Sequence, residues 1–221
     1  MPLFAHLCII ELVTLDSTMP PALDRRVRRS RAVLMAAAKA LVIERGTADV
    51  PVSAITEAAD VSRRLLYQQF GDLETLLLET ARDLVRSELL PRIADTPSAD
   101  VRDERMLAVV EHMAANRPFY RPLLTSSCAF ALTKALNSLF LPVNLQGVRL
   151  IYGERLDART TEDLAAFLTG GWGDFICTWV VEGPEPLDPG EFAGRLLRIG
   201  AALLPQGLST STNERGPVDD N

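Results

Sequence analysis

The sequence predicts an all-α protein. Apolar residues recur at spacings of three and four along most of the 221 residues, and no stretch shows the alternation typical of a strand. Glycines, prolines and potential helix caps separate these periodic segments. With 48% hydrophobic residues, the chain can build one large core or two modest ones.

The first predicted helix covers Ala32 to Arg45 and stops at Gly46, because glycine is favoured just after a helix end. Its apolar face consists of Leu34, Ala38, Leu41 and Val42. Five arginines occupy residues 25–31 immediately before it. A solvated helix start explains such a cluster, but its place beside the next motif favours phosphate contact.

Residues 52–70 read as two short helices joined by a tight turn at residues 60–62. Val52, Ile55 and Ala59 share a face of the first helix, and Leu66 and Phe70 share a face of the second. Ser62 stands where an N-cap is needed. The other face of the second helix carries hydrogen-bond donors suited to phosphates and base edges, namely Arg63, Arg64, Tyr67 and Gln68. This arrangement is a helix-turn-helix and indicates DNA binding.

A long fourth helix is predicted after this motif. Gly71 ends the preceding helix, Asp72 caps the fourth one, and that helix runs to about Pro91, with a break near residues 93–97. Its apolar stripe is Leu73, Leu76, Leu77, Leu84 and Val85.

The remainder is also predicted to be helical. The expected segments are residues 101–116, 119–124, 127–140, 144–152, 160–181 and 188–204, with Pro142 interrupting between the third and fourth. Thr160 and Asp188 are the expected caps of the last two helices. Residues 205–221 are polar and are expected to be frayed.

Charge is distributed unevenly. The net charge is −6, which by itself argues against nucleic acid, yet residues 25–70 hold nine Lys/Arg against four Asp/Glu. A basic front on an acidic body concentrates phosphate affinity in one module.

Cysteine and histidine usage argues against several classes of site. Three cysteines at unrelated spacings support neither a disulfide framework nor a zinc site and fit a reducing cytoplasm. The two histidines, His6 and His112, are far apart and have no evident catalytic or metal-binding partner. No cofactor, metal or enzymatic activity is therefore predicted.

The first residues are apolar but do not form a targeting or membrane segment. The run from Leu3 to Leu15 is short, is interrupted by His6 and Glu11, and lacks a basic leader. Two explanations remain equally open: Met19 is the true initiator, or residues 1–18 form an additional helix.

Residues 31–77 closely resemble the TetR family of bacterial transcriptional regulators. The run from Ser62 to Phe70, with Tyr67 between them, is its most specific part. Other supporting residues are Leu34, Ala38, Leu41, Gly46, Ile55, Ala59, Val61 and Leu66. More loosely, the helix from Gly170 to Trp179 resembles family C-terminal domains.

The resemblance implies an N-terminal three-helix DNA-binding domain with a helix-turn-helix, followed by a larger helical ligand-binding and dimerisation domain. The implied divisions are residues 1–23 (extension), 24–71 (DNA-binding domain), 72–205 (regulatory domain) and 206–221 (flexible tail). It also implies a homodimer on a pseudo-palindromic double-stranded operator, a small effector that releases the DNA, and no membrane association. Repression is the commoner outcome in the family, and the sequence does not distinguish it from activation.

Three residues depart from the family pattern. Asp60 replaces the usual turn glycine, which is tolerable because aspartate visits left-handed conformations more readily than most residues. Pro51 replaces a threonine before the second helix and donates no hydrogen bond. Leu73 replaces a lysine, so one phosphate contact of the family is missing.

The candidate DNA-binding residues are Arg28, Arg29, Ser62, Arg63, Arg64, Leu65, Tyr67, Gln68 and Gln69. Arg63 and Arg64 oppose the dipole at the helix N-terminus, a position that solubility alone would not favour. Leu65 either meets a thymine methyl or packs on the preceding helix.

The resemblance implies an effector cavity in the body, with walls drawn from its aromatic residues. The candidates are Phe119, Tyr120, Phe130, Trp172, Phe175 and Trp179. An apolar, aromatic body favours a hydrophobic or aromatic effector. For Cys128 and His112, ordinary buried roles are favoured over redox sensing or ligand contact.

Three glycines, Gly170, Gly171 and Gly173, lie inside a predicted helix. Each costs about 1 kcal/mol relative to alanine, so either close helix approach or a local kink is expected. The family places its dimer interface on the last two helices.

Two other interpretations of the sequence stay open. The chain is alternatively a helical protein-interaction module that has lost specific DNA binding, which Leu73 and the acidic body favour. A regulator whose cavity is filled by its own side chains is the other.

Overall fold

The structure is a computed structural model that describes residues 21–94 and 101–203. All regular elements within these ranges are helices, which confirms the predicted fold class. The predicted extension at residues 1–18, the centre of the break near 95–97 and the tail at 205–221 lie outside the described residues.

Ten α-helices make up the described chain. They are α1 (Pro21–Arg45), α2 (Val52–Ala58), α3 (Arg63–Phe70), α4 (Leu73–Leu84), α5 (Leu90–Ala94), α6 (Val101–Ala115), α7 (Arg117–Leu124), α8 (Ala129–Tyr152), α9 (Ala158–Glu182) and α10 (Pro189–Leu203).

Helix α1 begins eleven residues before the predicted start at Ala32. Arginine is a good helix former and proline is accepted in a first turn, so the basic run extends the helix instead of leading into it. Its C-terminus is as predicted, since Gly46 follows it with φ 63°.

One continuous core joins the helix-turn-helix to the body. Leu34, Ala38 and Val42 of α1 are fully buried in the same cluster as Leu77 of α4 and Phe192 of α10. Helix α1 packs on both α4 and α7. The position of the helix-turn-helix therefore depends directly on the body.

The fourth predicted helix is present but does not stop at Pro91. It passes from α4 through a π-helical turn at Val85–Leu89 into α5, which ends at Ala94. The N–H of Leu90 donates to the carbonyl of Val85, five residues back. A π-helical turn of this kind accommodates the missing N–H and the ring of a following proline.

The predicted interruption at Pro142 is wrong, because α8 is one continuous helix from Ala129 to Tyr152. Pro142 and Ser138 both lie on the exposed side of α8. Water can therefore satisfy the Ser138 carbonyl that the proline leaves without its helical donor.

The predicted cap of α9 is also misplaced. Asp157, not Thr160, is the N-cap, and its Oδ1 accepts from the Thr160 N–H at 2.7 Å. The cap of α10 is as predicted, since the Glu191 N–H donates to Asp188 Oδ1 at 2.9 Å.

Helices α8 and α9 form an antiparallel pair, and α10 packs on α6. Helix α9 continues through its three glycines without a break. Gly173 lies against α8, where an added Cβ would come within 2.5 Å of Asn137 Oδ1, whereas Gly170 and Gly171 face open space. Close approach within the chain thus explains only Gly173.

Candidate nucleic-acid interface

The turn between α2 and α3 has the sharp geometry of a helix-turn-helix without a glycine. Asp60 has φ 51°, the left-handed conformation expected for it. The N–H of Val61 donates to the Thr56 carbonyl at 3.0 Å and closes the end of α2. Pro51 precedes α2 and makes no side-chain cap, also as expected.

Both ends of α3 are fixed by local hydrogen bonds. Ser62 caps its start, with the hydroxyl accepting from the Leu65 N–H at 3.2 Å, as predicted. At the other end Gly71 has φ 81°, and its N–H donates to the Tyr67 carbonyl at 2.9 Å. An eight-residue helix this short depends on such caps and on packing for its stability.

Helix α3 has one buried and one exposed side. Leu66 and Phe70 are buried in the core beside Ile55 of α2. The exposed side carries hydrogen-bond donors, with 51% of Tyr67 accessible to solvent, and consists of Arg63, Arg64, Tyr67 and Gln68. The structure thus brings four of the predicted contact residues together on one surface.

The other predicted contact residues are placed less uniformly. Ser62 is exposed at the start of α3, whereas Leu65 and Gln69 are half-buried. Arg28 and Arg29 are exposed on the N-terminal half of α1. Leu73 packs against the core, which explains its apolar character at a position where the family often has lysine.

Arg31 differs from the other arginines of its cluster, which was predicted as a whole to contact phosphate. Its Nη1 donates to the Gln69 carbonyl at 2.7 Å, and its guanidinium lies 4.3 Å from the centre of the Phe70 ring. Its Nη2 is also 3.7 Å from Glu79 Oε2 on α4. A spacing of three from buried Leu34 was the available signal, since it places Arg31 on the inner face of α1.

A comparison with protein families supports the geometry of this motif. The family described as "Bacterial regulatory proteins, tetR family" matches residues 34–80, which span the later part of α1, the helix-turn-helix and most of α4. The helix-turn-helix region of this chain thus matches the DNA-binding domain of the TetR family. The match supports a DNA-binding transcriptional regulator of that family, in which repression, homodimers and ligand binding are typical. A comparison with curated proteins finds no match.

The six predicted ligand-binding aromatics of the body are spread over buried and exposed positions. Phe119, Tyr120 and Trp179 are buried, and Trp172 is partly buried. Phe130 is 81% exposed and Phe175 is 45% exposed. The sequence pattern did not separate wall residues from surface residues, because a helix carries both on adjacent turns.

A cleft of about 420 Å³ lies between α9 and α10. Its aromatic side includes Trp179 stacked on Phe192, with ring centres 4.3 Å apart, and Phe175. Polar atoms come from Asp174, Thr178, Glu182 and Arg195. Two of the six predicted ligand-binding residues, Phe175 and Trp179, therefore line one cleft.

A partly buried polar network lies at the junction of the body with α1. His112 Nε2 is 2.9 Å from the Tyr120 hydroxyl, and Asn116 Nδ2 donates to Glu88 Oε2 at 3.2 Å. Glu88 Oε1 also lies 3.8 Å from Lys39 Nζ on α1. Burial lowers the pKa of His112, against the opposing charge of Glu88, and burial raises the pKa of Tyr120. His112 is thus a hydrogen-bonded core residue, as favoured from the sequence.

Metal and thiol chemistry find little support in the part of the chain that the structure describes. No group of three or more His, Cys, Asp or Glu side chains is positioned there to hold a metal ion. Cys128 is buried, and burial raises the pKa of the Cys177 thiol, which disfavours the reactive thiolate.

Proposed function

We propose that this protein is a ligand-responsive repressor that binds a pseudo-palindromic operator as a homodimer. The observation that carries the proposal is the exposed side of α3, where Arg63, Arg64, Tyr67 and Gln68 stand on a capped helix. A recognition helix of this kind enters the major groove, with its first residues at the base edges. Two copies related by a dyad then require two half-sites about one helical turn apart.

The surface of α9 supports the homodimer. Phe167 is 70% exposed and Phe175 is 45% exposed, and both lie near the exposed glycines Gly170 and Gly171. By length and composition α9 is apolar enough to cross a membrane, although core helices of soluble proteins meet the same criterion. A helix with an apolar, glycine-containing exposed face is suited to close packing against a second copy.

The cleft between α9 and α10 is the proposed effector site. Its stacked Trp179 and Phe192 offer an apolar wall, while Asp174, Thr178 and Arg195 offer a few polar contacts. This composition favours a hydrophobic or aromatic effector. To act as an inducer, the effector must bind more tightly to the dimer in which the two DNA-binding domains are arranged unfavourably for the operator.

A non-enzymatic role in the cytoplasm completes the proposal. The exposed surface of α3 is suited to bind DNA rather than to catalyse a reaction. The buried His112 is hydrogen-bonded to the Tyr120 hydroxyl, so it is poorly placed to act as a catalytic base. A protein that binds an operator must be in the compartment that contains the DNA, which in a bacterium is the cytoplasm.

The second candidate is a protein-interaction module without specific DNA binding. The core packing of Leu73 favours it, because the phosphate-binding lysine of the family is replaced by a structural residue. The two candidates differ in salt dependence, since a protein that neutralises phosphates loses affinity steeply as salt rises.

The test is selection of a duplex from a random-sequence library, followed by fluorescence anisotropy at several salt concentrations. For the proposed function we expect a two-fold related site, steep salt dependence, and loss of selective binding in an Arg63→Ala/Tyr67→Ala double variant. Each lost phosphate contact should reduce the log–log salt slope by about 0.9.

Arg159→Ala is the matched control, because this exposed arginine stands on α9 away from the helix-turn-helix. It should bind like the wild type. Weak binding that is equal in wild type and double variant would favour the protein-interaction module.

A further inference from the structure

Arg31 connects three elements of the DNA-binding region. From α1 its Nη1 donates to the Gln69 carbonyl on α3 at 2.7 Å, and its Nη2 lies 3.7 Å from Glu79 Oε2 on α4. Between these contacts the guanidinium is stacked over Phe70, 4.3 Å from the ring centre. Only 31% of the Arg31 side chain is exposed, so water competes weakly for these contacts.

These contacts lie at the C-terminal end of α3, where the backbone carbonyls lack hydrogen-bond donors within the helix. The last carbonyls of a helix lack intrahelical donors, and Gln69 carries one of them. A cation at this end is also favoured by the helix dipole. Because Phe70 is the last residue of α3, stacking on its ring fixes the end of the helix from the side as well.

We propose that Arg31 is a positioning residue for DNA reading: it holds the C-terminal end of α3 and so sets the angle at which Tyr67 and Gln68 meet the groove. This inference rests on the proposed function. Unlike its exposed neighbour Arg29, Arg31 spends its guanidinium on the protein. Its contribution to DNA binding is therefore indirect.

Direct and indirect roles differ in two measurable quantities. A residue that contacts phosphate contributes equally to selected and unselected DNA and adds to the salt slope. A positioning residue changes the discrimination between sequences and leaves the slope unchanged. Lysine separates the roles further, because it keeps the charge but lacks the planar fork that stacks and donates at once.

The experiment compares Arg31→Lys and Arg31→Gln with wild type on two probes, the selected duplex and a scrambled duplex of equal composition. We expect Arg31→Lys to lose about tenfold in discrimination, the effect of one misplaced base contact. Affinity for the scrambled duplex and the salt slope should stay unchanged. Thermal melting by circular dichroism shows that each variant is folded at the assay temperature.

Arg29→Ala is the control for a direct contact. It should weaken binding to both duplexes alike and reduce the slope by about 0.9. Phe70→Leu provides an independent variant, since it removes the ring under the guanidinium without altering any charge, and it should also lower discrimination.

Three outcomes overturn the positioning role. Wild-type discrimination in both Arg31→Lys and Phe70→Leu would do so. So would a lower slope with equal losses on both duplexes for Arg31→Gln, which would indicate phosphate contact. A wild-type protein that shows no discrimination would instead overturn the proposed function, and the positioning role with it.

Discussion

Arg117 carries a buried positive charge at the start of α7. Its guanidinium donates to the carbonyls of Val180, Gly183 and Pro184 at 2.9, 2.8 and 3.1 Å, and to the Glu185 carboxylate at 2.7 Å. A buried charge is costly unless it is hydrogen-bonded, so these acceptors join α7 firmly to the end of α9. Nothing in the spacing of this arginine predicted that role.

His112 makes stability depend on pH. Its pKa is lowered chiefly by burial, so the folded protein takes up a proton at lower pH than the unfolded chain, whose histidine titrates near 6.5. The stability that neutral His112 contributes is therefore complete above pH 6.5 and is lost as the pH falls towards the folded pKa. We expect wild type to lose more stability than His112→Gln between pH 7 and pH 5.

Urea unfolding of both proteins across this pH range, at one fixed protein concentration, measures the difference. The gap in unfolding free energy should be largest at neutral pH and should narrow in acid. A gap that stays constant would show that His112 does not titrate on unfolding as described.

At the scale of the helix, the N-cap of α3 separates stability from DNA contact. Ser62→Ala should cost about 1 kcal/mol of unfolding free energy, because the Leu65 N–H loses its acceptor. Ser62→Asp should keep the cap and the stability but weaken DNA binding, since a carboxylate then faces phosphates. Thermal melts and anisotropy on the same samples test both expectations.

Asp72→Asn is a suitable reference, because it alters a neighbouring cap whose carboxylate accepts from the Thr75 N–H at 2.7 Å. Asparagine also caps well, so stability should change little. Equal stability of Ser62→Ala and wild type would show that the Ser62 cap is dispensable.

The helices were predictable where a local rule decides the outcome. The turn at Asp60, the cap at Ser62 and the stop at Gly46 follow from single-residue preferences, and all three are present. The predicted interruption at Pro142 was wrong, because a proline is tolerated in a helix when its side of the helix is exposed to water. Only the tertiary structure determines that exposure.

The candidate site was likewise predictable only where helical periodicity decides which residues are exposed. The exposed donors of α3 follow from helical periodicity, whereas the inward orientation of Arg31 and the exposure of Phe130 depend on which neighbours α1 and α8 pack against. The sequence around a charge cluster or an aromatic residue does not show which helices will pack against it. Local patterns therefore identified the exposed donor surface of α3 better than they identified the lining of the cleft between α9 and α10.

For the whole molecule, the exposed glycines of α9 provide a test of assembly. An added Cβ at Gly171 meets nothing within 4 Å in this chain, so Gly171→Leu should fold normally. If a second copy packs closely there, the leucine side chain would intrude on it. We expect sedimentation to show a dimer for wild type and a shift towards monomer for Gly171→Leu.

Gly147→Leu is the matched control, since Gly147 is also helical and also has open space at its Cβ, but lies on α8. It should remain dimeric. A dimeric Gly171→Leu would place the interface elsewhere, and monomeric wild type would contradict the homodimer.

The π-helical turn at Val85–Leu89 contains one residue more than a regular α-helical path would use. Each α-helical residue advances about 100° around the axis, but the wider π-helical turn absorbs the extra residue locally, so deleting one residue here would leave the helix beyond it at nearly the same angle. Ile93 would keep its place in the core, whereas deleting a residue from the regular turns of α4 would rotate it by about 100° and out of the core. The turn therefore lets the chain carry one extra residue without changing the rotational register between the DNA-binding helices and the body.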